Sequence, residues 1–302
     1  MNSLSPIVLF TYRRFETLQK TVQCLSDNFL ASDSDLIIYS DGAKNINDKE
    51  IITKIRAYLK TISGFKSVTV HESITNKGLA ASIIQGVSAT LKEHHKVIVL
   101  EDDLITSTNF LTFMNASLSK YENNNNVYSI SGYVFDFNIN SIDKDAYFLN
   151  RHWPWGWATW ENRWNNVDWD VSDYEKFKRN KILRKKYSLL GSDVNAMLDK
   201  QMNGNLDSWS IRWTFHVFKQ DGLVLFPKIS KIENNGWDIS ATNNVGLKNR
   251  YESAFDRTNK LDFNLPDEIK INPNYQKLLI RKMSIWERLK NKIKESFFLY
   301  FR

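Results

Sequence analysis

The stretch Val97-Ile98-Val99-Leu100-Glu101-Asp102-Asp103 decides the fold, because a short β-branched apolar run is followed immediately by three acids. Such a run predicts a strand that is buried on both faces of a parallel sheet. The acids fall where this strand leaves the sheet, and ligands of open α/β folds bind at that edge. Because adjacent carboxylates repel each other, the stretch indicates either a divalent-cation site or a solvated acidic turn.

Strand and helix patterns alternate through the first 131 residues. The strand-like runs are residues 7–11, 36–40, 68–71, 97–101 and 127–131. The helical stretches are residues 15–30, 49–61, 79–93 and 109–121. This alternation predicts an α/β fold with a Rossmann-like, mainly parallel central sheet flanked by helices.

The composition is that of a globular chain of 302 residues, with 42% hydrophobic and 25% charged residues. The sequence contains no run of about 18 apolar residues, so we expect no membrane span. Residues 1–6 lack the layout of a signal peptide. Cys24 is the only cysteine, which excludes an internal disulfide and favours a reducing compartment such as the cytoplasm. The net charge of +7 is concentrated in residues 176–186 and 277–302. We therefore expect lipid headgroups or phosphorylated small molecules as anionic partners, and no nucleic acid.

Three polar stretches follow predicted strands and join the acids as candidates. An arginine of Thr11-Tyr12-Arg13-Arg14 can pair with a diphosphate, or the two arginines form a surface basic pair. The carboxylate of Ser40-Asp41-Gly42 can bind a nucleotide base or ribose, or it belongs to an ordinary turn. In Asn76-Lys77-Gly78-Leu79, Gly78 permits close approach of a ligand, or Asn76 begins a helix.

The second half of the chain is rich in tryptophan. Residues 153–169 hold six of the ten tryptophans, whose rings either stack on sugars or pack in the core. We expect about two of the six to touch substrate, with Trp155 and Trp157 favoured. Asp207, just before Trp209, can act as a base if aromatic rings desolvate it and raise its pKa, or it is the N-cap of a helix.

The last residues form a basic amphipathic pattern. Apolar residues recur at steps of three and four, with basic residues between them: Trp286, Leu289, Ile293, Phe297 and Tyr300. This pattern predicts a helix that lies in a membrane surface, or a terminal helix that docks on its own domain.

Together these features resemble the GT-A fold glycosyltransferases, specifically those similar to N-acetylglucosaminyltransferase I and bacterial family 2-type enzymes of surface-polysaccharide synthesis. The most specific match is residues 97–113, where Glu-Asp-Asp-Leu precedes a helix bearing Asn109-Phe110. The resemblance covers roughly residues 6–238. It implies a nucleotide-sugar-binding half at residues 1–131, an acceptor-binding half at 132–265 and an amphipathic tail at 266–302.

Site roles also follow from the resemblance. It implies that Asp103 binds Mn²⁺ or Mg²⁺, and that the base is Asp207, with Asp238 and Glu161 as substitutes. Related enzymes carry two adjacent acids before the tryptophan, whereas this chain has Asp207-Ser208-Trp209. The implied donor-binding residues are Thr11, Arg13, Asp41, Asn76, Gly78, Glu101 and Asp102. The implied acceptor-binding residues are Trp155, Gly156, Trp157 and Trp209.

The resulting expectation is a metal-dependent, inverting hexosyl- or N-acetylhexosaminyl-transferase. It would transfer the sugar from a UDP-sugar to a lipid-linked saccharide. The reaction would belong to bacterial surface-polysaccharide or lipopolysaccharide synthesis and take place at the cytoplasmic face of the membrane. One alternative is a sugar-phosphate nucleotidyltransferase, which would normally show a glycine-rich loop after the first strand. The other is a non-catalytic, membrane-associated sugar-binding protein.

Overall fold

The computed structural model describes residues 3–137, 142–236, 251 and 253–300. Its central element is an eight-stranded sheet. The strands are β1 (Ile7–Thr11), β2 (Asp35–Ser40), β3 (Ser67–Glu72), β4 (Lys96–Glu101), β6 (Val127–Ser131), β7 (Ala146–Leu149), β8 (Trp157–Trp160) and β9 (Leu223–Pro227). A separate antiparallel pair consists of β5 (Leu104–Thr106) and β10 (Ile232–Asn234).

The strand order is β3-β2-β1-β4-β8-β6-β9-β7. Strands β1 to β4, β6 and β9 run in one direction, and only β7 and β8 of this sheet are reversed. The prediction of a mainly parallel sheet is therefore confirmed. The tryptophan-rich β8 lies between β4 and β6, with Val99 opposite Trp157 and Lys96 opposite Trp160.

The decisive apolar run is buried as its sequence predicts. Val97, Ile98, Val99 and Leu100 of β4 have no exposed surface, because helices cover both faces of the parallel part of the sheet. The parallel strands β1, β2 and β4 end side by side, and we call this edge the carboxyl edge.

Helices flank the sheet and also form a smaller region after β8. They are α1 (Phe15–Ser26), α2 (Lys49–Leu59), α3 (Leu79–His94), α4 (Phe110–Tyr121), α5 (Glu161–Trp164), α6 (Tyr174–Arg179), α7 (Lys181–Tyr187), α8 (Val194–Met202), α9 (Trp209–Lys219), α10 (Pro273–Lys282) and α11 (Ile285–Tyr300). Helix α1 is shorter than the predicted 15–30. Beyond its end, Asn28 donates to the Cys24 carbonyl and to Thr106 Oγ1, and accepts from the Leu111 amide, which directs the chain away from the helix.

One hydrophobic core runs through both halves of the chain and includes part of the predicted tail. Tyr275, Leu279 and Met283 are buried in it, and the Tyr275 ring stacks on Tyr147 with centroids 3.8 Å apart. The hydrophobic core therefore includes residues of α10 and extends as far as Met283. Within the described residues, no helix combines the length and apolarity needed to cross a bilayer.

Candidate active site at the carboxyl edge

The ends of β1 and β4 are joined by hydrogen bonds to Asp102. Thr11 Oγ1 donates to Asp102 Oδ2 over 2.8 Å, and the Tyr12 amide donates to the same oxygen over 3.1 Å. These contacts follow from the parallel pairing of β1 with β4, which brings the two strand ends together. Asp102 is therefore held in a fixed orientation, and Thr11 lies where the sequence predicted.

Arg14 reaches the acids, whereas Arg13, which is expected near the nucleotide, does not contact them. Its Nη1 donates to Asp103 Oδ2 over 2.6 Å, and both side chains are largely buried. The Arg13 side chain is 47% exposed and lies 3.8 Å from Asp48 Oδ1. Arg14 faces the acids and Arg13 does not because the backbone turns after Thr11. Side chains alternate between the two faces only within a strand, so this rule does not determine which arginine points toward β4.

The three acids share one poorly solvated region. Removal from water, together with the like charges of Asp103 and Asp102, raises the pKa of Glu101 to about 8. Burial and the charge of Asp103 raise the pKa of Asp102 to about 6, against the hydrogen bonds from Thr11 and Tyr12. Arg14 opposes both shifts. Burial and mutual repulsion thus disfavour the charged forms of these acids, and a cationic ligand beside them would favour the charged forms.

A segment far along the chain closes over Asp103. The pairing of β10 with β5 places Asn234 opposite Leu104, and the Asn235 amide then donates to the Asp103 carbonyl over 2.8 Å. A Cβ on Gly236 would lie 2.1 Å from Asp103 Oδ2 and 2.6 Å from Arg14 Nη1. Only glycine fits there without displacing the ion pair. No local pattern in the sequence links this segment to acids about 130 residues earlier.

Asp41 occupies the predicted end of β2 and holds the neighbouring loop. Its Oδ1 accepts from the amides of Gly42 and Lys77 over 2.8 and 2.9 Å. Its Oδ2 accepts from the Gly78 amide and Asn76 Nδ2 over 3.0 and 3.1 Å. Four donors therefore converge on one carboxylate, which has about four acceptor positions. Asp41, Asn76 and Gly78 come together as the sequence predicted, and Asp41 shapes the loop that the other two belong to.

The donor set fits a hard divalent ion held through few protein ligands. Across the described ranges, no three or more His, Cys, Asp or Glu side chains converge as a metal cage. Mg²⁺ and similar ions are commonly held by one or two carboxylates and completed by water and substrate phosphates. Asp103 Oδ2 is paired with Arg14 Nη1, so a cation bound there would share this carboxylate with the guanidinium.

The predicted acceptor residues separate into two groups. Trp157 is 1% exposed and stacks between Trp209 and Trp164, with centroids 4.9 and 5.5 Å away. Trp209 is also buried, so both rings pack in the core, which was the alternative interpretation of the sequence.

Trp155 is also buried, at 9% exposed, and Gly156 lies against Ile232 of β10. Trp155 meets Tyr133 and Tyr251 edge-on, while Gly156 has a φ of +56° and its carbonyl accepts from the Gly132 amide. The Gly132 carbonyl in turn accepts from the Lys231 amide, directly before β10. This aromatic group is thus connected through β10 to the segment that covers Asp103.

The three acids considered as bases lie in different places. Asp207 lies just before the N-terminus of α9, and the C-terminus of this helix leads to the start of β9. Because β9 is parallel to β6, the N-terminus of α9 and Asp207 lie toward the carboxyl edge. Its side chain is 69% exposed and pairs with Arg212 over 3.3 Å, so the tryptophans do not desolvate it. The helix is capped by Ser208, whose Oγ accepts from the Ile211 amide, and not by Asp207.

Glu161 is excluded as a substitute base by its position. It bonds His95 over 2.5 Å beside the start of β4, at the opposite edge of the sheet from Glu101. A six-residue strand separates these edges by roughly 17–20 Å. Asp238 lies outside the described residues.

The family model described as Glycosyl transferase family 2 matches residues 7–186. Among solved structures, the chain is similar to the mannosyltransferase PcManGT from Pyrobaculum calidifontis in complex with GDP-Man and Mn2+. That similarity has 13% identity and a TM-score of 0.32, over 43% of this chain and 35% of that one.

A second similar structure is TarS of S. aureus, with 12% identity and a TM-score of 0.32, over 47% of this chain and 23% of that one. The chain thus spans about a third of the length of the mannosyltransferase and about a quarter of the length of TarS. No curated protein matches the chain significantly.

Proposed function

The chain belongs to glycosyl transferase family 2, and we propose that it transfers a sugar, with inversion, from a UDP-sugar to a saccharide hydroxyl. It is a glycosyltransferase with a GT-A fold, so the nucleotidyltransferase and non-catalytic alternatives are set aside. The observation that best supports the proposal is the hydrogen-bonded joining of β1 and β4 through Thr11 and Asp102. It holds the acids together at the edge where α/β folds bind ligands.

The donor binds, in this proposal, between the ends of β1, β2 and β4. Glu101 and Asp102 contact the sugar and ribose, while Asp41 keeps the loop of Asn76 and Gly78 against the nucleotide. Arg14 lies close enough to Asp103 to turn onto the diphosphate, where a guanidinium fork matches phosphate oxygens. The more exposed Arg13 takes an outer position beside the nucleotide.

We assign the metal contact to Asp103, with Mn²⁺ or Mg²⁺ as the ion. The bound ion would supply charge neutralisation to the departing nucleoside diphosphate. The chain's own part is to hold Asp103 through the Asn235 amide and to exclude water with the Gly236 backbone. A dry site strengthens each electrostatic contact to the leaving group.

The acceptor hydroxyl loses its proton to Asp207 in this proposal. Two observations support Asp207: it lies at the carboxyl-edge end of α9, and its exposed carboxylate is accessible to a substrate. The oxygen attacks the anomeric carbon as the bond to the diphosphate breaks, and this single displacement inverts the anomeric centre. Trp155 and Gly156 border the acceptor, whose sugar ring an indole can support.

The acceptor is a lipid-linked saccharide of bacterial surface-polysaccharide or lipopolysaccharide synthesis, reached at the cytoplasmic face of the membrane. The support is α11, where Ile285, Trp286, Leu289 and Ile293 are exposed beside basic residues. A helix of this kind binds in the plane of a bilayer surface.

A thermal-shift screen of nucleotide sugars, with and without Mn²⁺, tests the proposal. A ligand that binds only the folded state raises the melting temperature, so a UDP-sugar should stabilise the protein most when Mn²⁺ is present. Asp103→Asn should abolish this synergy and the turnover, whereas the exposed Asp262→Asn should retain both. Stabilisation that does not depend on the metal would refute the proposed metal contact. Transfer with retained anomeric configuration would refute the proposed inversion.

A further inference from the structure

Two basic segments that lie far apart in sequence are neighbours in the structure. Ser192, just after α7 and a short 3-10 turn, donates from its amide and Oγ to the Met283 carbonyl over 3.1 and 2.8 Å. Gln276 Nε2 donates to the Leu189 carbonyl over 3.4 Å, and Arg288 Nη1 donates to Ser192 Oγ over 3.4 Å. The α7 region is thus attached to α10 and to the first turn of α11.

Both segments carry positive charge with few acids. Residues 174–190 contain seven lysines and arginines and one glutamate, and residues 273–290 contain five and one. Glu175 lies near Lys178 and Arg179, and Arg184 pairs with Asp199. Lys181, Lys185 and Lys186 are exposed, as are Lys277, Arg281 and Lys290. The joined surface is therefore strongly cationic.

Large apolar side chains stand exposed among these cations. Ile182 is 73% exposed, and it shares a helix face with Lys185 and Lys186, three and four residues later. Leu189 is also exposed, next to the contact with α10, and Trp286 is 77% exposed on α11. We call the surface formed by Ile182, Lys185, Lys186, Leu189, Trp286 and Leu289 the basic–apolar face.

We propose that the basic–apolar face binds an anionic lipid bilayer, with α7 entering the surface together with α11. The inference rests on the proposed membrane association and extends it from the terminal helix to the folded body. Anionic headgroups match the lysines, and the acyl boundary accepts the aliphatic and indole side chains.

Other occupants fit this face less well. A second copy of the chain in a two-fold dimer would bring two cationic surfaces together. A nucleic acid would neutralise the lysines, but it would leave Ile182 and Leu189 without an apolar partner. A bilayer with anionic headgroups can bind both the lysines and the exposed apolar side chains of this surface. Attachment at two elements would also fix the orientation of the body on the membrane, which a single terminal helix cannot do.

Vesicle sedimentation with the full chain tests the inference, using phosphatidylcholine vesicles with and without phosphatidylglycerol. The double variant Ile182→Ser with Leu189→Ser should lower the partition coefficient about tenfold or more, because each lost aliphatic contact weakens insertion. Lys185→Gln with Lys186→Gln should weaken binding by about tenfold only when phosphatidylglycerol is present. The matched control Ile46→Ser with Ile74→Ser changes two exposed isoleucines near the other end of the sheet and should bind normally.

The outcomes separate the two levels of the proposal. Trp286→Ser with Leu289→Ser tests α11 alone. If that variant loses binding while the Ile182 and Leu189 variant binds like the unchanged chain, α11 is the anchor and the inference about α7 is wrong. If the unchanged chain ignores both vesicle types, membrane association itself is overturned. A chain that dimerises in sedimentation velocity and becomes monomeric on the Ile182 and Leu189 substitutions would show a protein interface instead. Donor hydrolysis should be unchanged in all variants, which confirms their folding.

Discussion

Arg14 Nη1 and Asp103 Oδ2 lie 2.6 Å apart, although the two residues follow different strands and are separated by 89 positions. The guanidinium occupies the side of the acid cluster where positive charge is most needed, because it opposes the raised pKa values of Glu101 and Asp102. Arg14 therefore stabilises the charged forms of these acids.

Replacing Arg14 should destabilise the protein far more than replacing Arg13. Arg14→Gln leaves buried carboxylates without their cation, and we expect the free energy of unfolding to fall by roughly 1–3 kcal/mol. Arg13→Gln removes an exposed, loose contact and should change it by less than about 0.5 kcal/mol. Urea denaturation of both variants measures the difference, and equal effects would contradict the assignment of Arg14 to the site.

Asp41 should be essential to the loop that it holds. In Asp41→Asn, one acceptor oxygen becomes an amide that faces backbone donors, so we expect a loss of about 2 kcal/mol or more in the free energy of unfolding. Nucleotide binding should weaken in the same variant because Asn76 and Gly78 lose their support. Calorimetric titration with UDP and Mn²⁺ tests this, with Asp262→Asn as the control. An Asp41→Asn protein of normal stability would show that the four hydrogen bonds contribute little.

The backbone of Gly236 should be needed against Asp103. A methyl group there would displace the carboxylate or Arg14, and overpacking of this kind costs about 1–3 kcal/mol. We expect Gly236→Ala to weaken Mn²⁺-dependent nucleotide binding about tenfold. Gly204→Ala is the comparison, since its Cβ would meet no atom within 4 Å and it reports only the strain of a positive φ. Unchanged binding in Gly236→Ala would mean that the segment moves away when the donor binds.

The buried His152 should make a contribution to stability that falls as the pH drops below neutrality. His152 is enclosed by Trp157, Trp209 and Trp213, and burial lowers its pKa to about 3. Between that value and its ordinary 6.5, the unfolded chain binds a proton that the folded protein does not, so stability rises with pH in this window. The His152 contribution should therefore shrink by roughly 2 kcal/mol from pH 7 to pH 5.

Comparison with His152→Gln isolates this contribution. Burial also lowers the pKa of His216, to about 4, and that effect is common to both proteins. The difference in the free energy of unfolding between the two proteins, measured by denaturation at each pH, should be smaller at pH 5 than at pH 7. A difference that stays constant would indicate that His152 gains its proton without penalty in the folded state.

The strands of the first half could be predicted because each is a short apolar run that local sequence defines. β1 and β6 have the predicted bounds, and the acids after β4 fall at the edge that parallel pairing requires. The position of β8 could not be predicted in this way. Its pairing with β4 depends on contacts 60 residues apart, and its tryptophans suit a core as well as a sugar site.

The positions of residues at the ends of strands, such as Thr11, Asp41 and Asp102, were predictable. Positions were not predictable where the chain has left the sheet. Arg13 and Arg14 are chemically identical, and only the turn after β1 selects between them. Gly236 reaches Asp103 because β10 pairs with β5. Each of these strands has only three residues, which is too short to give a recognisable strand pattern in the sequence.

The insertion of β8 between β4 and β6 also constrains how the protein is made. A chain emerging from the ribosome completes β4 some 56 residues before β8 is available, since Lys96–Glu101 precedes Trp157–Trp160. During that interval one side of β4 lacks its final partner, and uncovered apolar strands are prone to associate with other chains. The nascent protein therefore passes through a stage in which the apolar centre of β4 is open to association with other chains.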